Sequence, residues 1–79
     1  MTKIEKTVQQ FLTRPESLRY FEIEKVLKFL GFNLVKTRGS HKKFKHSSLA
    51  NDLIIPVHNN DCKNFYKTQA SKIVKEYIL

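Results

Sequence analysis

The stretch "GFNLVKTRGSHKKFKHS", residues 31–47, decides how this chain folds. It opens on a glycine, at the point where the helical spacing of the preceding residues stops. It then runs through two short segments, "FNLVKTR" and "HKKFKHS", which are rich in strand formers or alternate, and which meet at Gly39-Ser40. Glycine accepts the positive φ of a tight turn, so the two segments read as a hairpin. Successive side chains of a strand point to opposite faces. Phe44 is the only large apolar residue of the second segment and must face the interior. His41, Lys43 and Lys45 then fall on the open face, while Lys42 and His46 share the parity of Phe44.

Upstream, Ile23, Val26, Leu27 and Leu30 recur at i, i+3, i+4 and i+7, one face of a helix over residues 21–30. Gly31 stands where a left-handed C-terminal cap is wanted. Before it, Thr2-Lys3-Ile4-Glu5 has the form of a capping box, and Ile4, Val8, Phe11 and Leu12 follow helical spacing up to a break at Pro15. Downstream, "SLAND" is a polar loop and "DLIIPVH" a third strand. Its Pro56 cannot donate a ladder hydrogen bond and belongs at an edge or a strand end. Tyr66, Ala70, Ile73, Val74 and Tyr77 make a closing amphipathic helix. The order helix, helix, three strands, helix predicts an α+β fold, a three-stranded antiparallel sheet with helices on one face.

Seventy-nine residues make one small domain, with no room for both a core and a deep substrate cavity. Any chemistry belongs on a surface or in a shallow groove. A single cysteine, Cys62, excludes an internal disulfide and fits a reducing cytosol. "MTKIEKTVQQ" lacks the apolar core and cleavage site of a signal peptide, and no apolar run approaches the ~20 residues of a transmembrane helix.

The net charge is +8, and it is clustered. Between Glu24 and Asp52 there is no acidic residue. The same window holds Lys25, Lys28, Lys36, Arg38, Lys42, Lys43 and Lys45, with His41 and His46. Nothing local neutralises it, so the patch should attract a polyanion. No segment pairs a basic face with a strongly apolar one, which argues against a membrane surface as the target.

His41 has two readings on pattern alone, an exposed turn residue or a base. RNA is cut without a metal when its 2′-hydroxyl attacks the adjacent phosphate. That step needs a proton acceptor and donors for the developing charge. An imidazole between lysines suits the first need and the lysines the second. Gly39 would let a backbone approach closely, and Ser40 can donate or accept. His58, at the end of "IPVH", has three readings: binding RNA, assisting proton transfer, or pinning its loop. Zinc at His41, His46, His58 and Cys62 is disfavoured, because the spacings match no familiar finger and His41 and His46 differ in parity. Cys62 has no base fixed beside it. With only Gly31 and Gly39, the chain has no phosphate-cradling glycine loop.

Taken in order, Gly31-Phe32, Gly39-Ser40-His41 with Phe44, and Pro56-Val57-His58 resemble the pattern of the HicA toxins of bacterial HicA–HicB toxin–antitoxin systems. The likeness covers roughly residues 20–78. It implies a fold like the double-stranded-RNA-binding domain, α-β-β-β-α, here with an extra N-terminal helix. Residues 20–79 are then the core and 1–19 a helical extension of one HicA-like domain. It implies an mRNA endoribonuclease with no metal or other cofactor, His41 as its catalytic residue, and a HicB-type antitoxin as partner. The alternatives are a non-catalytic RNA-binding module of the same fold and a protein-binding domain for an acidic partner. Arg38, Gly39, Ser40, Lys42, Lys43, Lys45 and His58 are the residues expected against the RNA.

Overall fold

The computed structural model describes residues 1–35 and 39–79. Helix α1 (Lys3–Thr13) leads through a 3-10 turn (Pro15–Ser17) to helix α2 (Tyr20–Phe29). Strands β1 (Asn33–Val35), β2 (His41–Lys45) and β3 (Leu53–Pro56) follow, and helix α3 (Asn64–Ile73) runs on into a π turn (Val74–Ile78). The strands form an open antiparallel sheet in the order β1-β2-β3. The fold is α+β, like that of the double-stranded-RNA-binding domain, with an added helix before it. Among the described residues no helix is long and apolar enough to cross a membrane.

Helices α1 and α2 and strand β3 start or stop for local reasons. Thr2 accepts from the Glu5 N–H while the Glu5 carboxylate accepts from the Thr2 N–H, closing the expected capping box on α1. Helix α2 ends in a Schellman motif: Phe32 N–H donates to the Leu27 carbonyl at 2.9 Å, and Gly31 N–H to that of Lys28 at 3.2 Å. Gly31 takes φ +97°, the left-handed value this motif demands. Pro56 is the last residue of β3, itself an edge strand, so its missing N–H costs no ladder bond. Strand β1 is described only as far as Val35. The remainder of "FNLVKTR" lies outside the described residues.

The core lies between one face of the sheet and the helices. Phe44, Leu53 and Ile55 from the strands meet Ile23, Val26 and Leu27 from α2, and Ala70 and Val74 from the closing helix. Phe44 is fully buried, as its parity required. Val8, Phe11 and Leu18 belong to the same core, so the N-terminal helix is packed into it. One position departs from the expected stripe: Tyr77 is 59% exposed, and Ile78 packs inward instead. The cause is the π turn, where Leu79 N–H reaches the Val74 carbonyl five residues back. The wider turn delays the inward-facing position by one residue.

Candidate functional site

The open face of the sheet carries the residues that alternation assigned to it. His41 is exposed at the first position of β2, opposite Pro56 of β3. Lys43 pairs with Val35 on one side and Ile54 on the other, and Lys45 pairs with Asn33. Both lysines therefore stand on the same surface as the imidazole, spaced by the ~7 Å that separates like-facing strand residues. Gly39 reaches the turn with φ +59°, and a side chain there would meet none of the described residues within 4 Å, so a backbone can come close. Val57 N–H donates to the Ser40 carbonyl at 2.7 Å and ties this turn to the end of β3. Arg38 and Lys36 lie outside the described residues.

The charge patch is not free of acid, and this corrects the sequence reading. Glu24 and Asp52, which bracket the basic window in the chain, both return to it in space. Asp52 lies 3.4 Å from Lys45 and 3.9 Å from Lys43, and Glu24 lies 3.1 Å from Lys28. The β2–β3 connection brings Asp52 alongside the lysines, a contact that linear distance hides. Lys42 leaves the open face altogether. Its parity sends it to the helix side, where its charge acts on Glu24.

On that helix side an open groove of roughly 580 Å³ runs beside the His41 turn. One wall is α2, with Tyr20, Phe21 and Glu24; Ser40 and Lys42 form the other, and Asn59 and Asn60 close one end. Tyr20 donates its hydroxyl to the Glu24 carboxylate at 2.6 Å. Burial and then this carboxylate hold the phenol far above the usual tyrosine range, so it serves as a donor and not as a base. Burial opposes charge on Glu24. The bonds from Tyr20 and Lys28, with the fields of Lys28 and Lys42, outweigh it and keep the carboxyl below its usual value.

The other two histidines have structural positions. His46 sits just past β2, where its Nδ1 accepts from the Ser48 N–H at 3.0 Å. That assigns the proton to Nε2, which donates to the Leu30 carbonyl at 3.0 Å and satisfies the end of α2. Its ring also lies 4.8 Å from that of Phe32. His58 is exposed and exchanges two backbone hydrogen bonds with Asp61, at 2.8 and 3.0 Å. Between them Asn59 and Asn60 take φ +53° and +63°, the double left-handed turn that asparagine tolerates. The His58 backbone thus pins the loop, and its side chain is exposed.

Asp61 and Lys67 are the residues that sequence reasoning missed. The Asp61 carboxylate accepts from Tyr20 N–H at 3.0 Å, Cys62 N–H at 2.8 Å and Lys67 Nζ at 3.2 Å. Burial disfavours its charge, but these donors prevail and lower its carboxyl below the usual range. It therefore joins the start of α2, the Asn turn and α3 at one point. Only the pair Asn59-Asn60, a turn signal, hinted at this corner. Burial pushes the Cys62 thiol up, with Asp61 adding to it against Lys67, which makes it a poor nucleophile. Among the described residues no three histidine, cysteine or acidic side chains gather as metal ligands do.

A family model described as HicA toxin of bacterial toxin–antitoxin matches residues 21–75. The match takes in α2, the sheet and α3, and leaves α1 outside it. No curated protein and no solved structure matches the chain.

Proposed function

The chain belongs to the HicA toxin family, which makes it the toxin of a bacterial toxin–antitoxin pair with a cognate antitoxin, and from that premise we propose that it is an endoribonuclease that cleaves mRNA with His41 as catalytic base. One observation carries the reading: an exposed imidazole on a sheet face that it shares with two lysines, at a turn open to close approach. His41 removes the proton of a ribose 2′-hydroxyl. The 2′-oxygen attacks the adjacent phosphorus, the 5′-oxygen leaves and takes up a proton, and a 2′,3′-cyclic phosphate remains. Lys43 and Lys45 stabilise the charge that builds on the phosphoryl oxygens. This scheme requires no metal or other cofactor, because His41 takes the proton and the lysines stabilise the charge. Its substrate places the enzyme in the cytoplasm.

The test is to incubate the protein with single-stranded RNA, with and without the substitution His41→Ala. Cleavage to cyclic-phosphate ends is expected from the native protein, none from the variant, and none on DNA, which lacks the nucleophile. A chelator should make no difference. Undiminished cutting by His41→Ala would remove His41 from the mechanism. RNA binding without cutting would reduce the protein to a binding module.

A further inference from the structure

The groove beside the His41 turn has features that cleavage of a phosphodiester does not require. The attack at phosphorus needs only the open face. Yet the residues on either side of His41 in the chain, Ser40 and Lys42, line a recess on the opposite side of the strand. Lys42 and His41 point to opposite faces because strand side chains alternate. An RNA that crosses this turn with a phosphate at His41 brings the adjoining nucleotide to the mouth of the groove.

The groove sets an aromatic face beside fixed polar groups. Phe21 is 52% exposed on its wall. Lys25 lies over the Phe21 ring at 5.6 Å, but it lines the separate cleft beyond that ring, so among the described residues the groove side is left for stacking. Glu24 is 27% exposed and fixed in place. One carboxylate oxygen takes the Tyr20 hydroxyl and the other the Lys28 ammonium. Each oxygen keeps one further lone pair. What Glu24 presents is therefore a rigid pair of acceptors, with the Lys42 ammonium as a donor beside it.

We propose that this groove is a nucleobase subsite in which Glu24 selects a base bearing an exocyclic amine and rejects uracil. The proposal rests on the RNA-cleaving reading of His41. Guanine, adenine and cytosine each offer an amine to the carboxylate and a ring acceptor or carbonyl to Lys42. Guanine offers two adjacent donors and fits best. Uracil offers one N–H between two carbonyls, and a carbonyl set against the Glu24 carboxylate is repelled. Asn59 and Asn60, held at the groove's end by the His58–Asp61 turn, add amide groups that can meet the same edge.

The experiment uses uridine-only RNA and the same RNA with one guanosine, adenosine or cytidine. Cleavage by the native protein is mapped, and binding to His41→Ala protein is followed by fluorescence anisotropy. Cutting next to the amine-bearing base should exceed cutting elsewhere by ~10-fold or more, with guanosine first. Glu24→Gln, which keeps the size but replaces one acceptor oxygen with a donor amide, should erase most of that preference. Equal cutting of the uridine-only strand would overturn the subsite and leave the role of His41 standing. Base-dependent binding with no cleavage of any strand would uphold the subsite and overturn the catalytic reading. Neither cleavage nor base-dependent binding would overturn both. The native base scan needs no substitution, so a poorly folding Glu24 variant does not blunt it.

Discussion

The carboxylate of Asp61 and the ammonium of Lys67 lie 3.2 Å apart, with the Lys67 side chain only 6% exposed. The pair anchors the corner where α2, the Asn59-Asn60 turn and α3 meet. Asp61→Ala leaves the lysine charge buried without its partner, and breaking such a pair costs several kcal/mol. Asp61 is itself 34% exposed, so solvent softens the loss to about 2–3 kcal/mol. Lys67→Met should cost less, because Asp61 keeps its two backbone donors. Urea unfolding of both variants checks this. A Lys67→Met protein as stable as the native one would mean that the ion pair is incidental to the corner.

The same corner makes the fold sensitive to acid. The donors around Asp61 lower its folded carboxyl pKa, and those around Glu24 do the same. A lowered folded pKa contributes stability that is complete above the unfolded values, ~3.9 for aspartate and ~4.3 for glutamate. That stability is lost as pH falls through the folded values. Melting temperature should therefore be flat on this account from neutrality to about pH 5 and drop below it. Asp61→Asn should be less stable at pH 7 and show a shallower acid limb. An unchanged acid limb would place the linked carboxyl elsewhere.

Gly31 and His46 should be coupled. Gly31 holds φ +97°, and a Cβ on it would come within 3.2 Å of His46 Nε2. Gly31→Ala should destabilise by more than ~1 kcal/mol, part of it backbone strain and part the displaced imidazole. His46→Ala alone removes the bond to the Leu30 carbonyl and the ring against Phe32, at about 1–2 kcal/mol. The double variant should then lose less than the sum. Strict additivity in chemical unfolding would show that the contact carries no strain.

The fold was legible because the main helices and strands carry local signals. The capping box at Thr2, the glycine at position 31 and the alternation around Phe44 each act over a few residues, and each appears as expected. The face of His41 followed from the same alternation. What could not be read was contact between distant parts of the chain. Asp52 reaches Lys43 and Lys45 only through the path of the β2–β3 connection, and Asp61 is 41 residues from the Tyr20 N–H it caps. Lys67 carries no apolar signal at all, so its burial could be seen only with its partner in place. The π turn that exposes Tyr77 arises from a change of helical period that the residue pattern does not mark.

Asp52 should limit how strongly the open face holds RNA. It shares its carboxylate between Lys43 and Lys45. Asp52→Asn frees both ammonium groups, so affinity for single-stranded RNA should rise, and rise most at low salt. Lys43→Ala and Lys45→Ala should each reduce the magnitude of the salt slope by ~0.7, the single-strand value per phosphate contact. Lys42→Ala should change the slope less, because that side chain lies with Glu24 on the helix side. Salt titrations of the four variants decide it. The same slope change for all three lysines would mean that a phosphate, and not only a base, meets Lys42 on the helix side.

The cognate antitoxin should seat on the open face of the sheet. That face presents His41, Lys43 and Lys45, and also Ile54, which is 45% exposed opposite Lys43. It combines positive charge, which speeds encounter with an acidic surface, and an apolar residue that desolvates on contact. Charge governs the rate of association more than the final affinity, and buried apolar anchors govern the rate of release. Lys43→Glu with Lys45→Glu should therefore slow association and flatten its dependence on salt. Ile54→Asp should chiefly speed dissociation. His41→Ala should leave both rates nearly unchanged, since it removes one imidazole from a broad surface, and growth arrest by the native protein expressed alone should be relieved by the antitoxin. Stopped-flow mixing of the purified pair measures each rate. If the antitoxin silenced the toxin while the paired lysine substitutions and Ile54→Asp left both rates untouched, it would be bound away from the sheet and acting through the fold instead of covering His41.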